Sequence, residues 1–293
     1  MSKLSRVILG TAQVGFDYGV ANFNGQIPEN LVGSILDFAK ESGIHIIDTA
    51  SAYSSSEEIL GLNGARDFSL ITKLDAIPND APSVSDWIYQ EVRESLKKLR
   101  TPRLYGLLIH RYQDLFDFDY HEIICALHEI RSKGLTQKVG ISVYWPHELE
   151  NLNRLADFDI IQLPLNPINQ QFASTGWLQR LHDMGIEVHV RSIFLQGLLL
   201  MSRNQIPSQF ERWPTVWNDW NDFCRGQNVT KLGACLNHAF SFSSVNKVIV
   251  GIDSLTQLQA IVDASKNSSK MMDWQFDGSE DRNLIDPSRW EKK

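Results

Sequence analysis

The chain of 293 residues is 43% hydrophobic and 22% charged, which fits one large α/β domain spanning residues 1–293. Its formal net charge of -7 argues against a nucleic-acid partner, because a nucleic-acid surface normally needs a basic patch. No apolar stretch approaches the roughly 18 residues of a membrane span, and the short apolar run before Gly10 is too brief for a secretory signal, so we expect a cytoplasmic protein without a membrane partner. The sequence gives no indication of the oligomeric state.

The three cysteines, Cys125, Cys224 and Cys235, are odd in number and show no CxxC spacing. This pattern favours reduced, buried thiols over a disulfide or a metal site.

In chain order, short β-branched runs alternate with longer segments of helical period. The runs predict eight strands, at Val7–Leu9, Ile44–Ile47, Ser69–Thr72, Leu104–Ile109, Lys138–Ile141, Ile160–Leu163, Glu187–Val190 and Lys247–Val250. The longer segments predict helices at Glu29–Glu41, Ser56–Leu60, Val84–Leu99, His121–Lys133, Pro146–Ala156, Trp177–Met184, Thr230–Phe240 and Leu255–Ala264. Gly43, Gly134 and Gly185 directly follow helical segments, where a left-handed C-cap is expected.

Most of the predicted strands are nearly continuous apolar runs, which is typical of a parallel sheet covered by helices. The βα unit repeats along the chain, and no change in composition marks a second domain, which favours a closed (β/α)8 TIM barrel of the α/β class. An open doubly wound sheet is the alternative, because the number of strands alone does not close a sheet.

Two stretches interrupt the alternation. Residues 201–227 have no clean period, and the tail after Ser268 is equally irregular. Six large aromatic side chains lie in these stretches: Trp213, Trp217, Trp220, Trp274, Phe276 and Trp290. We expect the three indoles of residues 201–227 either to cover the barrel or to line a substrate pocket, and composition does not decide between the two.

Four polar side chains lie near the C-terminal ends of consecutive predicted strands, where barrels of this type carry their functional residues. They are Asp48 after the second strand, Tyr53 in the following loop, Lys73 after the third strand and His110 after the fourth. Each one alone is consistent with capping, packing or a solvated charge. Their joint placement around one crevice indicates a catalytic site.

The same four side chains suit the reduction of a carbonyl group, which needs a hydride donor and a proton at the oxygen. Tyr53 would supply the proton, the Lys73 ammonium would lower the pKa of the phenol, and Asp48 would balance the charge of Lys73. A neutral His110 would hydrogen-bond the substrate oxygen.

Motifs from Val7 to about Ala264 resemble those of the aldo-keto reductases, and the ordered Asp–Tyr–Lys–His set is the most specific of them. The similar segments are Leu9–Ala12, Ile46–Tyr53, Ser56–Gly61, Ile71–Lys73, Leu107–His110, Gly140–Ser142, Ile161–Asn166, Phe194–Leu199 and Gly251–Leu258.

This resemblance implies a (β/α)8 barrel that binds NAD(H) or NADP(H) across its mouth and transfers a hydride to an aldehyde or ketone, with Tyr53 as general acid. By matching position, Ser142 and Gln162 would hold the nicotinamide carboxamide, and Ser192 would meet the pyrophosphate. Ser254 and Gln257 would meet the adenosine end. The remaining expected cofactor contacts are Thr11, Arg191, Gly251 and Asp253.

Three positions depart from the family pattern. Val143 stands where the family usually has Asn, so one carboxamide contact is missing. Arg191 stands where many members place an aromatic ring on the nicotinamide; a guanidinium plane can also stack, but it adds a cation beside a ring that becomes positive on oxidation. Asp253 stands where NADP-preferring members commonly carry Arg or Lys. A carboxylate there repels the 2′-phosphate and can accept from ribose hydroxyls, so we expect NAD(H) to be slightly favoured.

The leading hypothesis is therefore an oxidoreductase acting on a small polar carbonyl or sugar-like substrate. Polar side chains expected around the barrel mouth motivate the choice of a polar substrate: Arg111, Tyr112, Gln113, Asn166, Asn169 and Gln170. The alternative is a nicotinamide-nucleotide-binding sensor or regulatory barrel with little turnover, and a third hypothesis is a structural barrel with an inactive site. The intact set of four polar residues favours the enzyme.

Overall fold

The structure, a computed structural model, describes residues 3–152, 154–267 and 272–290, so the two ends of the predicted 1–293 domain lie outside the described residues. Parallel strands form a closed barrel in chain order: β1 Val7–Gly10, β2 Ile46–Asp48, β3 Ser69–Leu74, β4 Leu104–Ile109, β5 Thr136–Ser142, β6 Ile160–Pro164, β7 Glu187–Arg191 and β8 Lys247–Gly251. Strand β1 pairs with both β2 and β8, which closes the barrel. The predicted (β/α)8 barrel is confirmed, and the open sheet is excluded.

Helices follow the strands around the outside of the barrel. In the described residues they are α1 Ala12–Gly15, α2 Glu29–Glu41, α3 Ser56–Leu62, α4 Val84–Lys98, α5 Asp114–Asp117, α6 Tyr120–Ser132, α7 Pro146–Glu150, α8 Gln171–Ser174, α9 Trp177–Asp183, α10 Pro214–Gly226, α11 Lys231–Ser241, α12 Leu255–Asn267 and α13 Arg282–Ile285. Helix α2 shows how they pack: its buried residues Val32, Ile35, Leu36 and Ala39 recur at helical spacing and form one apolar face.

The C-terminal end of α2 explains a shift at β2. Gly43 has φ 86°, and the backbone N–H of Ile44 donates to the Ala39 carbonyl, so Ile44 still belongs to the helix end. The strand therefore begins at Ile46, two residues later than predicted. Gly134 and Gly185 also have positive φ, 73° and 76°, as expected for C-caps.

The helix predicted over Pro146–Ala156 is wrong in its second half. Helix α7 ends at Glu150, and the next short turn is a 3-10 helix at Leu155–Asp157. Asn151 is the C-cap residue of α7, and its backbone N–H donates to the His147 carbonyl at 3.1 Å. Asn is a weak helix former because its side chain competes for backbone hydrogen bonds, so the helix does not continue past it.

The stretch 201–227, predicted to be irregular, contains the long helix α10. Its buried residues Trp217, Trp220 and Cys224 are three and four positions apart, so the period is helical. The indole N–H groups donate to backbone carbonyls, Trp217 to Phe210 at 2.7 Å and Trp220 to Leu199 at 2.9 Å. Trp217 and Trp220 therefore pack in the core. Of the two roles expected for the indoles, these rings cover the barrel and do not line a substrate pocket.

The tail from residue 272 packs on α10 and α11. Trp274 stacks on Phe223 with 5.0 Å between ring centroids and meets the edge of His238 at 4.8 Å. Phe276 contacts Trp220, with 5.6 Å between centroids. The tail thus closes the side of the barrel next to α10.

The cysteines match the expectation only in part. Cys224 and Cys235 are buried, but Cys125 is exposed because it lies on the outer side of α6, whose buried face is formed by other residues. No disulfide is present among the described residues. No helix in these residues has the length and hydropathy of a membrane span.

Candidate active site

The inner surface of the barrel changes from apolar to polar along the strands. Ile8, Ile71, Leu108, Ile160 and Ile249 form a separate buried cluster that fills the barrel. Three polar residues lie two positions after members of this cluster: Lys73 after Ile71, His110 after Leu108 and Gln162 after Ile160. Asp48 lies two positions after Ile46 in the same way. Since side chains two residues apart point to the same side of a strand, polar groups meet at the C-terminal mouth of the barrel.

Lys73 and Asp48 form a buried ion pair. The Lys73 ammonium donates to Asp48 Oδ1 at 2.5 Å and to the Thr49 carbonyl at 2.8 Å. The second oxygen of Asp48 accepts from Gln162 Nε2 at 2.8 Å. The side chains of Lys73 and Asp48 are only 1% and 5% exposed. The predicted counter-charge is confirmed, although Asp48 ends β2 and Lys73 lies within β3 rather than after them.

Tyr53 lies beside this ion pair. Its ring centroid is 5.2 Å from Lys73 Nζ and 5.8 Å from the His110 ring, which it meets edge-on at 82°. The loop that carries Tyr53 is held closely by α1, since a Cβ at Gly15 would lie 1.8 Å from the Tyr53 carbonyl oxygen. All four residues expected to form the catalytic set are therefore brought together.

Burial governs the protonation of Tyr53 and His110. The pKa of Tyr53 is raised by burial and by the Asp48 carboxylate, and the Arg191 guanidinium only partly opposes the rise. The expectation that Lys73 lowers this pKa is wrong for this structure: the charge of Lys73 is balanced by Asp48, and burial outweighs it. Burial, together with the cations Lys73 and Arg191, lowers the pKa of His110 to about 3, so its ring is neutral as expected.

A cavity of about 370 Å³ opens at the C-terminal end of the barrel. Asp48, Tyr53 and His110 line it, and so does the loop after β8. The predicted cofactor contacts that line the cavity are Thr11, Ser142, Gln162, Arg191, Ser192, Gly251, Asp253 and Gln257.

Two predicted residues do not line the cavity. Lys73 is screened from it by its ion-pair partner and its own burial. Ser254 lies at the start of α12, where its hydroxyl accepts from the Gln257 backbone N–H at 3.4 Å. Thr11 lines the cavity, but its hydroxyl donates to the Asp48 carbonyl at 2.9 Å and so also ties β1 to β2.

The end of the cavity near β8 has features that fit a dinucleotide. Asp253 Oδ1 is buried and has no hydrogen-bond partner among the described residues, which leaves an acceptor for a ligand hydroxyl. Gly10 and Gly251 end the paired strands β1 and β8; a Cβ would lie 3.0 Å from Ile249 Cγ2 at Gly10 and 3.3 Å from Gln13 Nε2 at Gly251. These glycines allow a ligand to approach the backbone closely. The residues present therefore fit a nicotinamide dinucleotide.

Arg191 ends β7 inside the cavity. Its guanidinium lies 4.1 Å from the centroid of the Tyr144 ring and donates to the Val143 carbonyl at 3.1 Å and to Ser192 Oγ at 3.4 Å. Tyr144 also lines the cavity, and sequence analysis did not identify it.

Two loops that sequence analysis did not assign to the site cover the cavity. The loop after β1 contributes Tyr18 and Asn22, and the loop after β7 contributes Gln196. They meet where the Ala21 backbone N–H donates to the Gln196 carbonyl at 3.2 Å and Gln196 Nε2 donates to the Tyr18 hydroxyl at 3.3 Å. The match of Phe194–Leu199 to the family was the available signal for Gln196.

The six polar residues expected around the mouth do not line the cavity. Arg111 pairs with Asp117 at 2.7 Å, and Asn166 is buried, where its oxygen accepts backbone N–H groups of its own loop. Their polar groups satisfy loop structure instead. No cluster of side chains suited to a metal ion occurs within the described part of the chain.

Comparison with known proteins identifies the family. The sequence model of the Aldo/keto reductase family matches residues 6–276. The uncharacterized oxidoreductase YqkF of Bacillus subtilis is 24% identical over 282 residues, which cover 88% of this chain and 90% of the relative. D-arabinose 1-dehydrogenase of Saccharomyces cerevisiae is 22% identical and is matched over 90% of this chain and 83% of its own length. The solved structure of a glycerol dehydrogenase from Gluconobacter oxydans has the same fold, with a TM-score of 0.70, 22% identity, and coverage of 88% of this chain and 86% of its own. The chain therefore belongs to the aldo/keto reductase family and is a nicotinamide-dependent oxidoreductase.

Proposed function

We propose that this oxidoreductase reduces a small polar carbonyl compound, with Tyr53 as the general acid that protonates the carbonyl oxygen. The observation that carries the proposal is the meeting of Tyr53, His110 and the Lys73–Asp48 pair at one end of a cavity that can hold a dinucleotide. In the reverse direction Tyr53 is the general base for the alcohol.

The chain's own residues divide the work at the carbonyl oxygen. NAD(P)H, when bound, supplies the hydride for the carbonyl carbon. Tyr53 is a neutral phenol because burial raises its pKa, so it carries the proton that the oxygen needs as negative charge develops there. His110 is neutral because burial lowers its pKa, so it can donate a hydrogen bond to the same oxygen without adding a charge.

The buried pair and Arg191 act on Tyr53 through their charges and contacts. The Lys73 ammonium lies 5.2 Å from the Tyr53 ring and is paired with Asp48 at 2.5 Å, so the pair packs against Tyr53 and positions it without a net charge that would favour the phenolate. Arg191 does favour the phenolate, since it opposes the rise in the pKa of Tyr53.

The nicotinamide would be held by Ser142 and Gln162. Both are buried and line the cavity beside the catalytic set. Because Gln162 Nε2 is bound to Asp48, its amide is oriented and its oxygen is left to accept from the carboxamide. Ser192 and Gln257 would meet the pyrophosphate and the adenosine end.

The cofactor preference is for NAD(H). Asp253 lines the end of the cavity near β8, and its Oδ1 has no partner among the described residues. A carboxylate in this position accepts from ribose hydroxyls and repels a 2′-phosphate.

A small polar or sugar-like substrate is supported by the polar side chains that cover the cavity, Tyr18, Asn22 and Gln196. The names of two similar proteins, D-arabinose 1-dehydrogenase and glycerol dehydrogenase, point to the same class of compound.

The proposal is tested by mixing the purified protein with NADH or NADPH and a panel of aldehydes, ketones and aldose sugars, and following the absorbance of the dihydronicotinamide. We expect turnover of at least one small polar carbonyl, faster or at lower cofactor concentration with NADH. Quenching of protein fluorescence by NADH without turnover of any member of the panel would contradict the proposal and favour a sensor.

A further inference from the structure

Arg191 brings an unbalanced positive charge into the cavity. Among the described residues, no carboxylate oxygen lies within 4.0 Å of its guanidinium, whereas Lys73 is paired with Asp48 at 2.5 Å. His110 is neutral. Of the two cations whose charges act on His110, Lys73 is therefore paired with a carboxylate, and Arg191 is left without one by the described residues.

The guanidinium is held in a fixed orientation. One face packs 4.1 Å from the centroid of the Tyr144 ring, and one edge donates to the Val143 carbonyl at 3.1 Å. Stacking and a backbone hydrogen bond reduce the rotamer freedom that a ligand would otherwise have to restrict. The arrangement is preorganised for binding.

Donor groups of Arg191 are left over for a ligand. A guanidinium has five N–H donors, and two hydrogen bonds to described residues use only part of them, the one to Ser192 Oγ being long at 3.4 Å. The planar N–H fork matches the two oxygens of a carboxylate. One guanidinium also balances one carboxylate, whereas a phosphate dianion would leave a negative charge uncompensated.

The position of Arg191 points to the substrate rather than to the far end of the cofactor. Arg191 lines the same cavity as Tyr53 and His110, and its charge acts on Tyr53, His110 and Lys73, which surround the site of the carbonyl. An anion held by Arg191 would thus lie close to the reacting group.

We propose that Arg191, stacked on Tyr144, binds a carboxylate of the substrate, so that the enzyme acts on aldehydo or keto acids, including sugar acids. This inference rests on the proposed carbonyl reduction and names its substrate class.

The test compares 4-formylbenzoate with its neutral methyl ester, two aldehydes that differ at one charge. We expect the wild type to reduce the carboxylate with a kcat/KM at least about 10-fold higher, in line with a charge-assisted contact. Arg191→Met should bring the ratio of the two kcat/KM values close to one, and Arg191→Lys, which keeps the charge but loses the planar fork, should give an intermediate ratio.

Arg180→Met is the matched control. Arg180 also carries its guanidinium on an aromatic ring, 3.8 Å from the Trp177 centroid, but it is exposed on α9 and lies outside the cavity. Its replacement should leave the ratio unchanged. Unfolding midpoints of the variants check that each is folded.

Several results would overturn the inference. Equal kcat/KM values for the acid and the ester in the wild type would do so, as would an unchanged ratio in Arg191→Met accompanied by weaker NADH binding, which would assign Arg191 to the cofactor pyrophosphate. A larger gain for glyceraldehyde 3-phosphate over glyceraldehyde would assign it to a phosphate.

If the wild type reduces neither aldehyde, the wider panel of carbonyl compounds decides on the proposed reduction, and the anion site is read by binding alone. Titration of the NADH-loaded protein with benzoate should show at least about 10-fold tighter binding than benzamide, and Arg191→Met should abolish the difference. Equal affinities for the two compounds would refute the carboxylate site.

Discussion

Two sides of the barrel mouth differ in how their charges are matched. On the side formed by β2 and β3, Asp48 accepts from Lys73 at 2.5 Å and from Gln162 at 2.8 Å, so both of its oxygens are satisfied. Toward β7 and β8, Arg191 has no carboxylate within 4.0 Å and Asp253 Oδ1 has no partner, among the residues described.

Under the roles proposed above, this difference separates the residues of the chemical step from those that select the ligand. Charges that act in every turnover are paired before any ligand arrives, because an unpaired buried charge is costly. Groups that select the ligand have no protein partner, so a ligand with the matching charge or hydrogen-bonding group pairs with them and other ligands do not. The paired side also follows the family pattern, and the departures Arg191 and Asp253 lie on the unpaired side.

The largest effect is expected on the paired side from Tyr53→Phe, which removes the proton donor. We expect kcat to fall at least about 100-fold, the usual range for loss of general acid catalysis, while NADH affinity changes little. Steady-state kinetics and a fluorescence titration measure the two quantities. Tyr120→Phe, which removes a phenol hydroxyl bonded to Asp157 outside the cavity, is the control. A Tyr53→Phe enzyme with the kcat of the wild type would remove Tyr53 from its role.

Lys73→Met breaks the pair and leaves Asp48 buried without its counter-charge. The free energy of unfolding should fall by about 3–5 kcal/mol, measured by urea denaturation. Adding Asp48→Asn should restore part of the loss. Lys40→Met, which breaks an exposed ion pair with Asp67 whose side chains are 49% and 54% exposed, should cost less than about 1 kcal/mol. Similar losses for the two single variants would mean that burial does not distinguish the pairs.

A buried histidine outside the cavity tests what an unpaired group costs where no ligand can pair with it. His238 Nδ1 is buried without a partner among the described residues, and burial lowers the pKa of His238 to about 3. The unfolded chain binds a proton below about pH 6.5 while the folded chain does not, so this group makes stability fall as pH drops from about 6.5 toward 3.

Between pH 7 and pH 4, the free energy of unfolding of His238→Phe should therefore fall by about 2–3 kcal/mol less than that of the wild type. Urea denaturation at the two pH values measures it, with His182→Phe on the exposed side of α9 as the control. An equal loss in His238→Phe and wild type would show that this ring does not contribute to acid lability. Unlike Asp253, His238 lines no part of the cavity, so NADH affinity should not change.

The smallest effect is expected from Asp253→Asn, on the unpaired side. Removal of the carboxylate should improve NADPH binding relative to NADH by about 10-fold, or about 1.4 kcal/mol, measured as the ratio of dissociation constants. Asp263→Asn, exposed on α12, should leave the ratio unchanged. A wild type that already binds NADPH clearly more tightly would contradict the predicted preference for NAD(H).

Local period was enough to predict most of the barrel from the sequence. The bounds of α2 and β4 agree with the prediction to the residue, and the polar residues at the strand ends follow the two-residue spacing of a strand. The helix α10 was missed because only Trp217, Trp220 and Cys224 mark its buried face in an otherwise polar stretch, and α7 was predicted too long because the weak helix former Asn151 ends it.

The sequence by itself therefore determined the fold, the family and the four residues proposed for catalysis, since these depend on periodicity and on motifs that are local in the chain. Only the tertiary structure decided the direction of the pKa of Tyr53, the stacking of Arg191 on Tyr144, and the meeting of Val20 with Gln196 across 176 residues. These properties depend on burial and on contacts between loops that are distant in sequence. The sequence predicted the pairing of Lys73 with Asp48, but its local pattern did not show that packing would leave Arg191 without a carboxylate partner among the described residues.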